Sequence, residues 1–248
     1  MTKRLGLRIA TFLAGLALST SAVAASGGDV QQAGVDLGDR ASLQRGAALY
    51  MNYCSGCHSL KYLRYSRIAK DLGLSEDEVM QNLNFTGVKF GEQVGVSLDA
   101  RTGEQAFGKQ PPDLSVTSRV RGSDWIYTYL KAFYLDESRP LGWNNKLYPN
   151  ASMPNPLWKL QGLQYAKYGK FDKATGEAPV TGLELKTAGE QDTEAFDRTA
   201  RDITTFLQYA GEPAALQREK LGVWVLLFLA MFTFVAWLLK TEYWRDVK

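Results

Sequence analysis

Cysteine and histidine are scarce. The 248-residue chain has two cysteines and one histidine. A zinc site made in the usual way from four cysteine and histidine ligands is therefore excluded. A disulfide framework is excluded too, because Cys54 and Cys57 have only each other as partners. Charge of one sign is also lacking. The chain holds 29 Lys and Arg against 26 Asp and Glu, and the small excess is terminal, since residues 25–213 carry 21 basic and 23 acidic side chains. A segment so close to neutral gives no case for nucleic acid binding. There are no internal repeats and no low-complexity tracts. Long apolar runs occur only near the two ends.

The first run reads as a secretory signal peptide. Lys3, Arg4 and Arg8 make a basic start, Ile9 to Leu18 is mostly apolar and too short to span a bilayer, and Ala22-Val23-Ala24 offers small residues for cleavage. Residues 1–24 are therefore expected to be removed. The second run, Leu221 to Leu239, contains no charge and only Thr233 as a polar side chain besides two tryptophans. As a helix it would be about 29 Å long, matching the hydrocarbon core. Arg218, Glu219 and Lys220 bound one end. Lys240, Glu242, Tyr243 and Trp244 bound the other, with Tyr and Trp suited to the headgroup region. The expected organisation is an exported domain over 25–213, then a linker, anchor and short cytoplasmic tail over 214–248.

Between these ends the pattern predicts a mainly α domain with long ordered loops. Helices are expected over 39–53, with Asp39 as a possible cap, and over 75–83, where Ser75 and Glu78 have capping-box spacing. Two more are expected over 123–134 and 191–209, the latter broken by Gly211-Glu212-Pro213. Residues 84–112 read as loop. Residues 137–156, with four prolines and four asparagines, read as an ordered loop. Residues 166–192 carry only a weak hairpin signal.

The two cysteines and the histidine fall in one motif, Cys54-Ser55-Gly56-Cys57-His58. C-x-x-C-H is the pattern of c-type haem attachment. Two thiols add across the haem vinyl groups as thioethers, and two intervening residues set the sulfurs at the vinyl separation. The following His58 is then placed to ligate the iron. A thioredoxin-like pair would follow a strand, whereas here a helix leads in, and it requires no adjacent histidine. A plain disulfide would leave His58 unexplained. One motif implies one haem.

A second axial ligand can be sought by elimination. No further histidine or cysteine exists. The methionines are Met1, Met51, Met80, Met153 and Met231. Met1 leaves with the signal and Met231 lies in the anchor. Met51 precedes the attachment site on the same helix, and Met80 reads as core filler. Met153 sits in a proline-constrained loop, Tyr148-Pro149-Asn150-Ala151-Ser152-Met153-Pro154, and is the favoured ligand. His/Met ligation raises the reduction potential.

At this point the chain resembles the cytochrome c1 family, the haem subunits of bacterial cytochrome bc1 complexes. The resemblance rests on Tyr53 to Leu60, on Pro111-Pro112-Asp113-Leu114-Ser115, on Arg119-Val120-Arg121-Gly122, on Met153-Pro154, and on Glu212-Pro213 and Arg218 ahead of a single C-terminal anchor. It covers essentially the whole mature chain. It implies a cytochrome c-like haem domain with one covalent haem c held by Cys54 and Cys57, and His58 and Met153 as axial ligands. It also implies that Pro112 lines the haem pocket and that Arg121 pairs with a propionate. The implied partners are cytochrome b, a Rieske iron–sulfur protein and a cytochrome c acceptor, in a dimeric complex of the inner membrane with the haem domain in the periplasm. A membrane-anchored cytochrome c shuttle or terminal-oxidase subunit is the alternative reading, and an anchored thiol–disulfide oxidoreductase is a second.

Overall fold

The computed structural model describes residues 30–171 and 178–246. The signal-peptide reading of residues 1–24 lies outside them. Helix α1 spans Arg40–Tyr53, and the Asp39 side chain accepts from the Ser42 amide at its start, as the sequence suggested. It runs directly into Cys54. Strand β1 (Leu60–Arg64) follows and leads into helix α2 (Tyr65–Leu72). Helix α3 (Glu76–Asn82) carries the expected capping box, Ser75 to Glu78.

The stretch read as loop over 84–112 is partly regular. Strand β2 (Gln93–Val94) pairs antiparallel with β1, and helix α4 covers Ala100–Phe107. Its only buried residue is Gly103, so no apolar stripe marked it. Its local signals were present: Asp99 caps Thr102, and Gly108 ends the helix with φ +73°.

Helix α5 (Thr117–Arg121) and helix α6 (Ser123–Lys131) meet at Gly122, whose φ is +87°. The helix expected over 123–134 stops at Lys131. Phe133–Leu135 forms strand β3, paired antiparallel with β4 (Trp143–Asn145) inside the predicted loop. A short helix α7 (Trp158–Gln161) precedes β5 (Gly162–Tyr168) and β6 (Val180–Ala188). These two strands make the weakly signalled hairpin. The sheet order is β4-β3-β5-β6, with β3 and β5 parallel.

Helix α8 (Thr193–Gly211) is the long partner of α1. Its buried face carries Phe196, Ala200, Ile203, Phe206 and Leu207. The two helices touch backbone to backbone at Gly46, where an added Cβ would lie 2.0 Å from the Asp202 carbonyl oxygen. Tyr50 and Phe206 pack beside this crossing, with ring centroids 5.6 Å apart. The Asp202 carboxylate closes it, accepting from Ser42 Oγ at 2.6 Å, Arg45 Nε at 2.7 Å and Arg45 Nη2 at 3.0 Å. These contacts fix α1, and with it the cysteine motif, against α8.

Helix α9 (Ala215–Tyr243) starts three residues after α8 ends. Its stretch Leu221–Tyr243 is apolar, long enough to cross a bilayer and unburied by the rest of the chain. At the junction, Glu212 pairs with both Arg119 and Arg218. The architecture is thus mainly α, with long ordered loops and one C-terminal apolar helix.

Candidate functional site

A cavity of about 450 Å³ lies beside the α1–α8 pair, within the usual range for cofactor pockets. Cys54, Cys57 and His58 reach it from the end of α1. Pro111, Pro112 and Leu114 reach it from the loop between α4 and α5, and Arg121 and Trp125 from α5 and α6. Met153 and Pro154 reach it from the asparagine-rich loop, and Ile203 and Leu207 from α8. All six residues that the sequence nominated line one space: Cys54, Cys57, His58, Met153, Pro112 and Arg121. Met51 and Met80 do not line it. Met51 is packed in the core, and Met80 lies 3.5 Å from the Asn84 side-chain amide.

The turn that presents the cysteines is tight. The Cys57 and His58 amides both donate to the Cys54 carbonyl, at 3.0 and 2.8 Å, and Ser55 Oγ donates to the Met51 carbonyl at 2.7 Å. Cys54 is buried and Cys57 exposed. Burial pushes the Cys54 thiol up to about 12, and the neighbouring Cys57 adds to this.

His58 is held on two sides. Tyr50 Oη donates to its carbonyl at 2.8 Å, and its Nδ1 lies 2.7 Å from the Pro112 carbonyl oxygen. A carbonyl can only accept, so Nδ1 carries the proton and Nε2 keeps its lone pair. Burial lowers the pKa of this imidazole, and the Pro112 bond and Asp113 oppose that shift without cancelling it. The result is a neutral ring with a fixed tautomer, the form that binds a metal.

The Pro-Pro-Asp-Leu-Ser segment is a clasp on the chain that leaves His58. Asp113 accepts from Ser59 Oγ at 2.7 Å and from the Lys61 amide at 2.9 Å. The Leu114 amide donates to the Ser59 carbonyl at 2.9 Å, and Ser115 Oγ accepts from the Tyr62 amide at 3.1 Å.

The methionine loop is stiffened by its asparagines. Asn145 Oδ1 accepts from the Leu147 and Tyr148 amides at 2.9 and 3.1 Å, while its Nδ2 donates to the Tyr129 carbonyl at 2.9 Å. Asn144 Oδ1 accepts from the Asn150 amide at 2.8 Å, and Asn150 takes a positive φ of 64°. Burial pushes the Tyr129 phenol up to about 12, so it stays protonated at neutral pH. Its hydroxyl faces Met153 Sδ at 3.6 Å. The Arg121 guanidinium sits over Trp125 and Tyr148, 5.1 and 5.9 Å from the ring centroids. Tyr129 and Tyr148 line the cavity as well, and the sequence reading did not single them out. Tyr129 stands four residues after Trp125, a spacing that marks a shared helix face and no particular ligand.

The residues suit a c-type haem: two thiols and a tautomer-fixed histidine share an apolar cavity with one thioether. The chain is a c-type cytochrome. The model of the Cytochrome C1 family matches residues 32–247, and the chain belongs to that family. It is 48% identical over 242 residues to cytochrome c1 of Allochromatium vinosum, covering 97% of this chain and 98% of the relative. It is 39% identical over 245 residues to a Nitrosomonas europaea protein named ammonia monooxygenase gamma subunit, covering 97% and 100%. Cytochrome c1 of Rhodospirillum rubrum is 29% identical over 234 residues, covering 85% and 83%. The chain therefore carries one covalent haem c and is a membrane-anchored electron-transfer subunit of the bc1 type.

Proposed function

We propose that this chain accepts one electron at a time from a Rieske iron–sulfur protein and passes it to a cytochrome c. It would do so in a dimeric complex with cytochrome b. Haem c supplies reversible one-electron ferric–ferrous chemistry when bound. Cys54 and Cys57 would hold it covalently, His58 Nε2 and Met153 Sδ would be the donors to its iron, and Pro112 orients His58. Arg121 offers its N–H groups to a propionate while its flat face rests on Trp125. Residues 1–24 are a cleaved signal, residues 25–213 form the periplasmic domain, and residues 214–248 hold the linker, inner-membrane anchor and cytoplasmic tail.

The observation that carries this reading is the convergence of Met153 on the cavity of Cys54, Cys57 and His58 from a distant loop. The experiment is mild detergent extraction of the membranes, followed by a pyridine haemochrome spectrum and identification of what travels with the covalent haem. A b-type cytochrome and a Rieske protein are expected. Their absence would overturn the reading in favour of a tethered shuttle.

A further inference from the structure

Arg121, Trp125, Tyr129 and Phe133 lie four residues apart and form a continuous stack. Trp125 and Tyr129 are nearly parallel, with centroids 5.0 Å apart and an interplanar angle of 11°. Phe133 meets Tyr129 edge-on at 5.0 Å and is fully buried. The Tyr129 ring is therefore clamped by two aromatic neighbours, Trp125 against its face and Phe133 in a T-shaped contact, and its backbone carbonyl is tied to the methionine loop through Asn145. A clamped ring aims its hydroxyl at one point, and that point is the Met153 sulfur, 3.6 Å away. Sulfur is a large, weak acceptor, so this separation suits an O–H···S contact.

We propose that Tyr129 is a positioning residue for the Met153 thioether, whose hydroxyl engages one sulfur lone pair, leaves the other for the iron and raises the reduction potential. This rests on the reading of Met153 as an axial ligand. The direction follows from the chemistry. A donated hydrogen bond withdraws electron density from sulfur and makes it a poorer donor to ferric iron, so the ferrous form is favoured. Hydrogen bonding around a ligand is one of the protein's means of setting a haem potential.

The test is Tyr129→Phe in the full-length, membrane-bound protein. This change keeps the ring and its stacking and removes only the hydroxyl. The weak red absorption band of a methionine-ligated ferric haem should persist. The ferrous-to-ferric ratio at fixed ambient potential should fall about threefold, within the two- to tenfold that a net hydrogen bond represents. At 59 mV per tenfold for one electron, that is a drop of about 28 mV. A potential equal to the parent's, with the band in place, overturns the proposal. Phe133→Leu changes the packing beneath Tyr129 but spares the hydroxyl, so its potential should match the parent's. A shift as large as that of Tyr129→Phe would assign the effect to packing and also overturn the proposal. Met153→Leu tests the underlying reading separately. If its band survives, both readings fall; if its band is lost while Tyr129→Phe matches the parent, only the role of Tyr129 falls.

Discussion

The Nδ1 atom of His58 donates to the carbonyl oxygen of Pro112 across 2.7 Å. That single contact decides which imidazole nitrogen is left to bind metal. It also gives Pro112 a role through its backbone, which its side chain alone would not suggest. Next to it, Asp113 gathers Ser59 Oγ and the Lys61 amide, and Leu114 pairs with Ser59. Two segments far apart in the chain are thereby stitched together around the ligand.

Removing the clasp should loosen the fold in a pH-dependent way. Burial tends to raise the pKa of Asp113, but hydrogen bonds from Ser115, Ser59 and the Lys61 amide outweigh this and hold it below its ordinary value. A depressed carboxyl contributes stability above its unfolded pKa, about 3.9, and loses it as pH falls through the lower folded value. Asp113→Ala should therefore cost about 1–3 kcal/mol at pH 7, by leaving donors without an acceptor. Urea denaturation at pH 7 and pH 3 should show this deficit smaller in acid, because below about 3.9 the unfolded parent takes up a proton that the folded carboxylate resists.

Met153→Leu keeps the volume and apolarity of the loop side chain but removes its sulfur. The covalent haem should remain on Cys54 and Cys57. The sulfur-to-iron absorption band should vanish and the reduction potential should fall sharply, because methionine ligation raises it. Optical redox titration checks both. An unchanged spectrum would reassign the ligand.

At the α1–α8 crossing there is no room for a methyl group. A Cβ on residue 46 would meet Asp202 O at 2.0 Å and Phe206 Cβ at 2.8 Å. Because the nearer obstacle is backbone, a helix must shift. Gly46→Ala should destabilise the domain by about 1–3 kcal/mol despite its better helix propensity. Thermal denaturation of the haem-loaded protein would register this as a lowered midpoint.

A charge in the middle of α9 should weaken anchoring. Phe232 lies near the centre of the apolar stretch and faces outward. Phe232→Arg should cost about 2.5–3.5 kcal/mol of insertion free energy. The fraction of the protein resisting carbonate extraction should fall, while Phe232→Leu should leave it unchanged.

Much of this was legible in the residue order, and the failures have physical causes. The capping box at Ser75 and the Asp39 cap are local chemistry, so α3 and α1 could be read directly. Helix α4 could not be read by periodicity, because it buries only Gly103 and shows no apolar face. Phe133 falls in the helix expected over 123–134, and it continues the four-residue spacing of Trp125 and Tyr129. Pairing with Asn145 pulls it into a strand instead, a tertiary contact that no window on the sequence contains. Cys54, Cys57 and His58 are legible from the motif, Met153 from elimination among the methionines, and Pro112 and Arg121 only through the family resemblance. The hydroxyl of Tyr129 is not, since its relation to Met153 exists only after the asparagine loop has folded over α6.

Only Glu212, Pro213 and Ala214 separate α8 from α9, and Glu212 is held by an arginine on each side, Arg119 of the cavity-lining α5 and Arg218 of the anchor. Three extended residues span at most about 11 Å. The electron carrier is thus moored at close quarters to the lipid surface and has no leash on which to travel. Under the proposed function, any long excursion between donor and acceptor falls to the partner proteins.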